Sequence, residues 1–273
     1  GSHEIYRSPK TYHRFAAWIG HIDRVSPVEV FTPNYDLLFE EALEQYKVPF
    51  FDGFVGAREP FFDLAAMEQD AIPPRWTRLW KLHGSINWIK RKDGSVFRCS
   101  PPAFPKEGEQ LLIYPSHLKY EQSRRMPYLA MIDRLRAFFR DTNPVLVVCG
   151  YSFTDDHLNE VLLDGLRGNR SAHCFALVYP NIKECEIAAR QASKHANLSV
   201  LARDGAVIGT RHGSYKPIDP STIAADAPPP SKDALAKNLV AGQCLLGDFH
   251  HFALFLETQF GVKATDQQGT EAR

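Results

Sequence analysis

The sequence predicts an α/β protein built on a doubly wound parallel sheet, with a small insertion and a C-terminal helix. Three observations carry this expectation. Short β-branched or aromatic runs alternate with stretches of helical apolar periodicity. Two of the runs, Val145–Cys149 and Cys174–Tyr179, are continuously apolar and bounded by turn residues, the pattern of strands buried on both faces. Four of the runs end in polar residues, where such sheets bind ligands.

The elements follow in order. Residues 9–22 place Phe15, Ala16, Trp18 and Ile19 among polar neighbours and predict a helix. Val28–Thr32 reads as a strand ending in Pro33-Asn34, and Leu37, Leu38, Ala42, Leu43 and Tyr46 form the apolar stripe of the next helix. Residues 48–76, rich in Phe, Pro and Gly, suit an irregular lid or small insertion. Leu79–His83 is strand-like and closes at Gly84-Ser85. Ile86–Ile89 and Ser95–Phe97 flank Lys92-Asp93-Gly94 as a hairpin. A Pro-rich loop over 100–110 leads to a short strand, Leu111–Tyr114. A helix then carries Leu129, Ile132, Leu135 and Phe138. After the run at Val145–Cys149, Gly150-Tyr151-Ser152 leads to a helix that Asp155 or Asp156 would cap, with Leu158, Val161, Leu162 and Leu166 inward. The run at Cys174–Tyr179 stops at Pro180-Asn181. Residues 182–196 are predicted helical, and Leu198–Leu201 closes the series. The expected organisation is one domain over 4–215, a Pro- and Ala-rich linker over 216–238, and an aromatic docking helix over 239–263.

Composition narrows the class. Hydrophobic residues make up 44% and charged residues 23% of the 273, enough for an ordinary core. Lys+Arg and Asp+Glu both number 32, so there is no global basic excess of the kind that marks nucleic-acid binding. The five cysteines include no C-x-x-C pair, which argues against a disulfide framework and a four-thiolate zinc site; no metal is expected, and a reducing cytoplasmic setting fits. No run approaches a membrane span.

The polar strand ends are Thr32-Pro33-Asn34-Tyr35-Asp36, His83-Gly84-Ser85, Gly150-Tyr151-Ser152 and Tyr179-Pro180-Asn181. Each has a plain structural alternative. Asn34 and Asp36 would serve as helix caps, His83 as a hydrogen-bonded core histidine, Gly150 and Ser152 as a tight turn, and Asn181 as an N-cap. Their shared place just past predicted strands favours one site assembled from separate loops.

These strings resemble the sirtuins. T-P-N-Y-D resembles their T-x-N-x-D element, L-H-G at Leu82–Gly84 their catalytic histidine motif, and G-Y-S at Gly150–Ser152 their G-T-S element. Asn181 falls where they use an Asn after a later strand. The fuller strings K-L-H-G-S-I-N-W and G-Y-S-F-T-D-D-H-L-N-E resemble most the prokaryotic sirtuin-like domains of anti-phage systems, among them Thoeris effectors, Argonaute-associated proteins and partners of HerA-type ATPases. The resemblance runs from about Val28 to Ala202 and implies a Rossmann-type fold of sirtuin kind.

It also implies NAD as substrate, cleaved to nicotinamide and ADP-ribose. In that scheme Asn34 orients the attacking water or the nicotinamide ribose, Asp36 meets the carboxamide, and His83 accepts a proton. Thr32 belongs to the same binding element, Gly150 and Ser152 meet phosphate or ribose, and Asn181 meets the adenosine ribose. Implied partners are further copies of the chain and a HerA-type ATPase or another defence protein; neither membrane nor nucleic acid is implied. Two departures stand out. The paired C-x-x-C motifs of deacylating sirtuins are absent, which disfavours deacylation. No glycine-rich phosphate loop precedes Asn34; Gly1-Ser2-His3 reads as a cleavage scar, so the first strand and that loop are expected upstream. The alternatives are a non-catalytic sensor of NAD or ADP-ribose and a scaffold for an ATPase.

Overall fold

A computed structural model describes residues 9–69, 72–99, 109–112, 126–216 and 242–259. It is a mixed α/β protein with parallel strands, flanking helices and a C-terminal helix. The chain forms two compact units, one comprising the residues up to Ile132 together with those from Leu256 onward, the other Asp133–Phe255.

In the first unit, α1 (Pro9–His21) precedes β1 (Glu29–Thr32) and α2 (Leu38–Gln45). The predicted stripe of α1 is buried at Phe15, Ala16 and Ile19, and the Tyr12 and Phe39 rings meet edge to face at 4.9 Å. β2 (Phe50–Phe51) and β5 (Thr77–Lys81) join β1 in a parallel sheet of order β1-β5-β2. The centre strand β5 is buried along its whole length, Arg78 and Lys81 included. Arg78 satisfies its guanidinium on the carbonyls of Ile72 (2.9 Å), Pro73 (3.2 Å) and Trp76 (2.8 Å).

The region expected as an irregular insertion is more regular than its composition suggested. β3 (Phe54–Val55), β4 (Phe61–Phe62), β6 (Gly84–Lys90), β7 (Val96–Arg98) and β8 (Glu109–Leu112) form an antiparallel sheet of order β3-β4-β7-β6-β8, with α3 (Leu64–Gln69) following β4. The predicted hairpin is β6–β7, paired at Ile89↔Phe97 and turned at Gly94, whose φ is +87°. The short strand predicted at 111–114 begins two residues earlier, and residues 113–114 and the Pro-rich loop over 100–108 lie outside the described residues. Asp52 is buried against the Arg98 guanidinium; burial pushes its carboxyl up while Arg98 opposes the shift.

In the second unit α4 (Tyr128–Phe138), which begins in the first, leads to β9 (Val145–Cys149). Then follow α5 (Asp156–Gly168), β10 (His173–Leu177), a 3-10 turn (Ile182–Glu184), α6 (Glu186–Ala192) and β11 (Leu198–Leu201). β9, β10 and β11 are parallel neighbours. The α5 face predicted from Leu158, Val161, Leu162 and Leu166 is buried, and Asp155 caps the helix by accepting from Leu158 N at 3.3 Å. The expectation that both apolar runs are buried on both faces fails. β9 is an edge strand of its sheet among the described residues, with Val145 and Val147 56% and 44% exposed, and in the second run Phe175 and Tyr179 are exposed as well. The sheet also does not close at β11, because β12 (Gly205–Ile208) and β13 (Arg211–Ser214) extend it as an antiparallel hairpin. Its turn residues Gly209 and Thr210 both have positive φ (54° and 68°), which suits the twist of a two-residue hairpin.

The predicted C-terminal helix is α7 (Phe249–Gln259), with Glu257 in an ion pair to Arg14 of α1. It starts later than the expected bound of 239, since residues 242–248 are not helical; the 217–238 part of the expected linker and residues 239–241 and 260–263 of the expected helix lie outside the described residues. Just before α7 the chain crosses the carboxyl end of the second unit's parallel strands. Cys244 N donates to Arg203 O at 2.9 Å, and the Cys149 thiol donates to Leu246 O at 3.4 Å. Gly247 presses on the Val178–Tyr179 peptide so closely that a Cβ there would lie 2.2 Å from the Val178 carbonyl carbon. We therefore expect Gly247→Ala to destabilise the protein by about 1–3 kcal/mol in urea unfolding, the usual cost of overpacking. Gly213→Ala, whose added methyl meets nothing within 4 Å, should stay within about 0.5 kcal/mol of wild type.

Candidate active site

β1 and β5 pair in parallel with Thr32 opposite Lys81. Continuing that register two residues sets Asn34 opposite His83 at the carboxyl end of both strands, where adjacent strands run ~4.8 Å apart. Two backbone hydrogen bonds tie the segments on either side of these residues: Leu82 N donates to Thr32 O at 2.9 Å, and Ile86 N donates to Tyr35 O at 3.0 Å. Asn34 and His83 therefore lie on facing stretches of a small closed backbone frame. His83 is half-buried in the turn after β5, not sealed in the core. Gly84 makes that turn with φ +85°, a conformation that glycine reaches without steric cost.

The loop of Asn34 is shaped by its own side chains. Thr32 is buried, and its Oγ1 accepts from Asn34 N at 3.1 Å. Asp36 Oδ1 accepts from Leu38 N at 3.1 Å, a local turn just ahead of α2, whose N-cap is Leu37 and carries no side-chain cap bond. Asn34 itself is exposed, and among the described residues its carboxamide has no hydrogen-bond partner. Neither residue is the N-cap that the plain alternative expected. Behind the loop, buried Lys81 donates to Asp36 O and, at 3.0 Å, to Glu40 Oε1. Burial pushes the Glu40 carboxyl up, and Lys81 beside it partly reverses the shift.

The second unit carries the other predicted residues on its own strand ends. Gly150 leaves β9 with φ +71°, and its N–H donates to Leu177 O at 3.2 Å. Ser152 is exposed and shares a hydrogen bond of 2.8 Å with Thr154 Oγ1. Phe153 is buried at φ +57°, a costly conformation for a bulky residue. Asn159 holds it there: its Nδ2 donates to Phe153 O at 2.7 Å, and its Oδ1 accepts from Tyr151 Oη at 2.9 Å. Burial raises the Tyr151 phenol, with Asp155 adding to the effect, so it stays a donor. Asn181 begins the 3-10 turn without capping it and donates to Glu184 Oε1 at 2.8 Å. Burial, with Asp248 adding to the effect, pushes the Cys149 thiol up to about 12, which disfavours its thiolate.

Sequence reasoning named Asn34 and His83 and missed their supports. Lys81 was legible as the charged residue that opens K-L-H-G, directly after the apolar Leu79-Trp80. Asn159 stood unassigned within D-D-H-L-N. Among the described residues no group of three His, Cys, Asp or Glu is arranged to hold a metal, and no helix is long and apolar enough to cross a membrane.

The second-unit loop yields a direct expectation. Asn159→Ala strands the Phe153 carbonyl and leaves the Tyr151 hydroxyl only its bond to Asp155 O, and should cost about 1–3 kcal/mol in thermal or urea unfolding. Ser152→Ala, at an exposed hydroxyl, should change stability by no more than about 0.5 kcal/mol.

Compared with known protein families, residues 28–201 match the SIR2-like domain. No curated protein matches the chain.

Proposed function

The chain belongs to the SIR2-like domain family, and on that premise we propose that it is an NAD glycohydrolase, cleaving NAD to nicotinamide and ADP-ribose. The observation that carries the reading is the frame at the tips of β1 and β5. Just past the paired strands it holds Asn34, exposed and with no hydrogen bond to its carboxamide among the described residues, and the half-buried His83.

The chemistry suits those groups. Nicotinamide leaves from a cationic ring as a neutral molecule, so breaking the C–N bond asks for little acid catalysis. The bond electrons go to the nicotinamide nitrogen and an oxocarbenium-like centre forms on the ribose. Water adds there and loses one proton. Asn34 orients that water or the ribose. His83 takes the proton from the water or from a ribose hydroxyl, a role in which a positioned base typically contributes about 10²–10⁴ in rate. Thr32 sets the loop, and Asp36 makes the turn ahead of α2 while its carboxylate edge meets the nicotinamide amide.

We assign Gly150, Ser152 and Asn181 to holding the rest of the substrate, and ribose hydroxyls before phosphate for Ser152. Asp155 and Asp156 already place negative charge at the start of α5, which opposes an anion there. The biological setting we propose is a bacterial anti-phage system in which activity depletes cellular NAD. Copies of the chain assemble there with one another and with a HerA-type ATPase or another defence protein. The support is the pair of long strings around His83 and Ser152.

Nicotinamide release, followed by chromatography with and without partner protein, is the test. Asn34→Ala and His83→Ala should each lower kcat by at least about 10²-fold while the thermal midpoint stays near wild type. Unchanged release in both variants would remove the assignment. Calorimetric binding of NAD or ADP-ribose with no product formed would replace the enzyme with a sensor.

A further inference from the structure

The proposed chemistry leaves one buried charge near the site unused. Lys81 is the last residue of β5, two positions before His83, and its ammonium is nearly inaccessible to solvent. That nitrogen donates to the backbone carbonyl of Asp36 and to Glu40 Oε1, the latter at 3.0 Å. One atom on the histidine strand thus ties the loop that bears Asn34 and the first turn of α2 that follows it. Neither the parallel ladder nor the Asp36 turn makes this tie, because the ladder bonds lie at Thr32 and Tyr35.

Net stability is a poor explanation for the pair. Among the described residues, Glu40 Oε2 is buried without a hydrogen-bond partner, so the carboxylate is only partly satisfied there. Well-packed apolar residues often match or better a buried ion pair, whereas removing one partner alone is strongly destabilising. Something other than net stability therefore accounts for an ammonium at this position, and the carbonyl it holds belongs to the Asn34 loop. We infer that Lys81 is a positioning residue, fixing the Asn34–Asp36 loop against the tip of β5 so that the carboxamide of Asn34 stays beside His83. The kinetic part of this inference rests on the NAD-cleaving reading; the structural part does not.

The test uses the full chain and three variants: Lys81→Met, the double variant Glu40→Leu with Lys81→Met, and Glu40→Gln. Three quantities are read: the thermal midpoint, steady-state nicotinamide release from NAD, and hydrogen exchange at the Asn34 and Leu38 amides. Those two amides are bonded within the loop and report its closure. Lys81→Met alone should lower the midpoint, since it leaves the Glu40 carboxylate buried and unpaired. The double variant should regain the midpoint yet keep kcat down by roughly 10–10²-fold, the penalty of a misplaced catalytic group, with KM changed much less. Its two loop amides should exchange at least tenfold faster. Glu40→Gln keeps the tie to Asp36 and should retain kcat within about threefold.

A double variant with wild-type kcat and wild-type exchange overturns the inference and leaves only a structural pair. So does a Glu40→Gln variant that loses as much kcat as the double. If the wild type releases no nicotinamide with or without its partner, the enzymatic reading fails by itself. The exchange rates of Asn34 and Leu38 then decide the positioning role: faster in the double variant supports it, unchanged overturns it.

Discussion

The parallel pairing of β1 with β5 is the constraint on which the candidate site depends. It brings together two segments far apart in sequence, and it does so in one register only. β1 alternates, with Val30 and Thr32 turned inward, while β5 is buried along its whole length. A slip of one residue would turn Thr32 outward. It would also separate Trp80 from Glu29, whose carboxylate accepts from the indole nitrogen at 2.7 Å. The ladder continues one bond past the strands, at Leu82 N to Thr32 O, and resumes at Ile86 N to Tyr35 O. Asn34 and His83 occupy the gap in that ladder, where the backbone is held on either side of them.

The second unit solves a similar problem by different means. Its strand ends are shaped by local strain and by a returning segment. Phe153 sits at positive φ because Asn159 and the burial of its ring outweigh a cost of order 1–3 kcal/mol. The segment around Gly247 lies so close to the β10 end that no side chain fits there, and the Cys149 thiol completes its contacts. Strain of this kind persists only where the surroundings over-determine it, and here Tyr151, Asn159 and the Asp155 cap supply those surroundings.

Much of the fold was legible because periodicity and turn chemistry report local structure directly. The helices of Phe15, Leu158 and Leu129, the β6–β7 hairpin and the cap at Asp155 all follow from patterns of a few residues. What escaped has identifiable causes. Apolar runs say that a strand can be buried, not which neighbours it has, so Val145 and Val147 were expected inside although β9 is an edge among the described residues. The strands at Phe50, Phe54 and Phe61 are two residues each, too short for any alternation to show. The Gly209-Thr210 turn was a readable hairpin signal and was passed over. In the candidate site, Asn34 and His83 were legible from motif and position, whereas Lys81 acts through Asp36 and Glu40, far off in sequence, and Asn159 through Tyr151 and Phe153 across a non-periodic turn, neither of which spacing reveals.

The degree of exposure at the β1–β5 tips bears on which reaction the proposed chemistry favours. An enzyme that passes a reactive ribosyl cation to an acceptor other than water must keep water away until the acceptor arrives. Hydrolysis has no such demand, since water is the second substrate. What it requires is that the carboxamide and imidazole be held still while solvent reaches the anomeric carbon. A frame closed by backbone hydrogen bonds, with Asn34 exposed and His83 half-buried, meets that requirement: rigidity comes from the ladder and the Lys81 tie, and access from the lack of side-chain cover on Asn34.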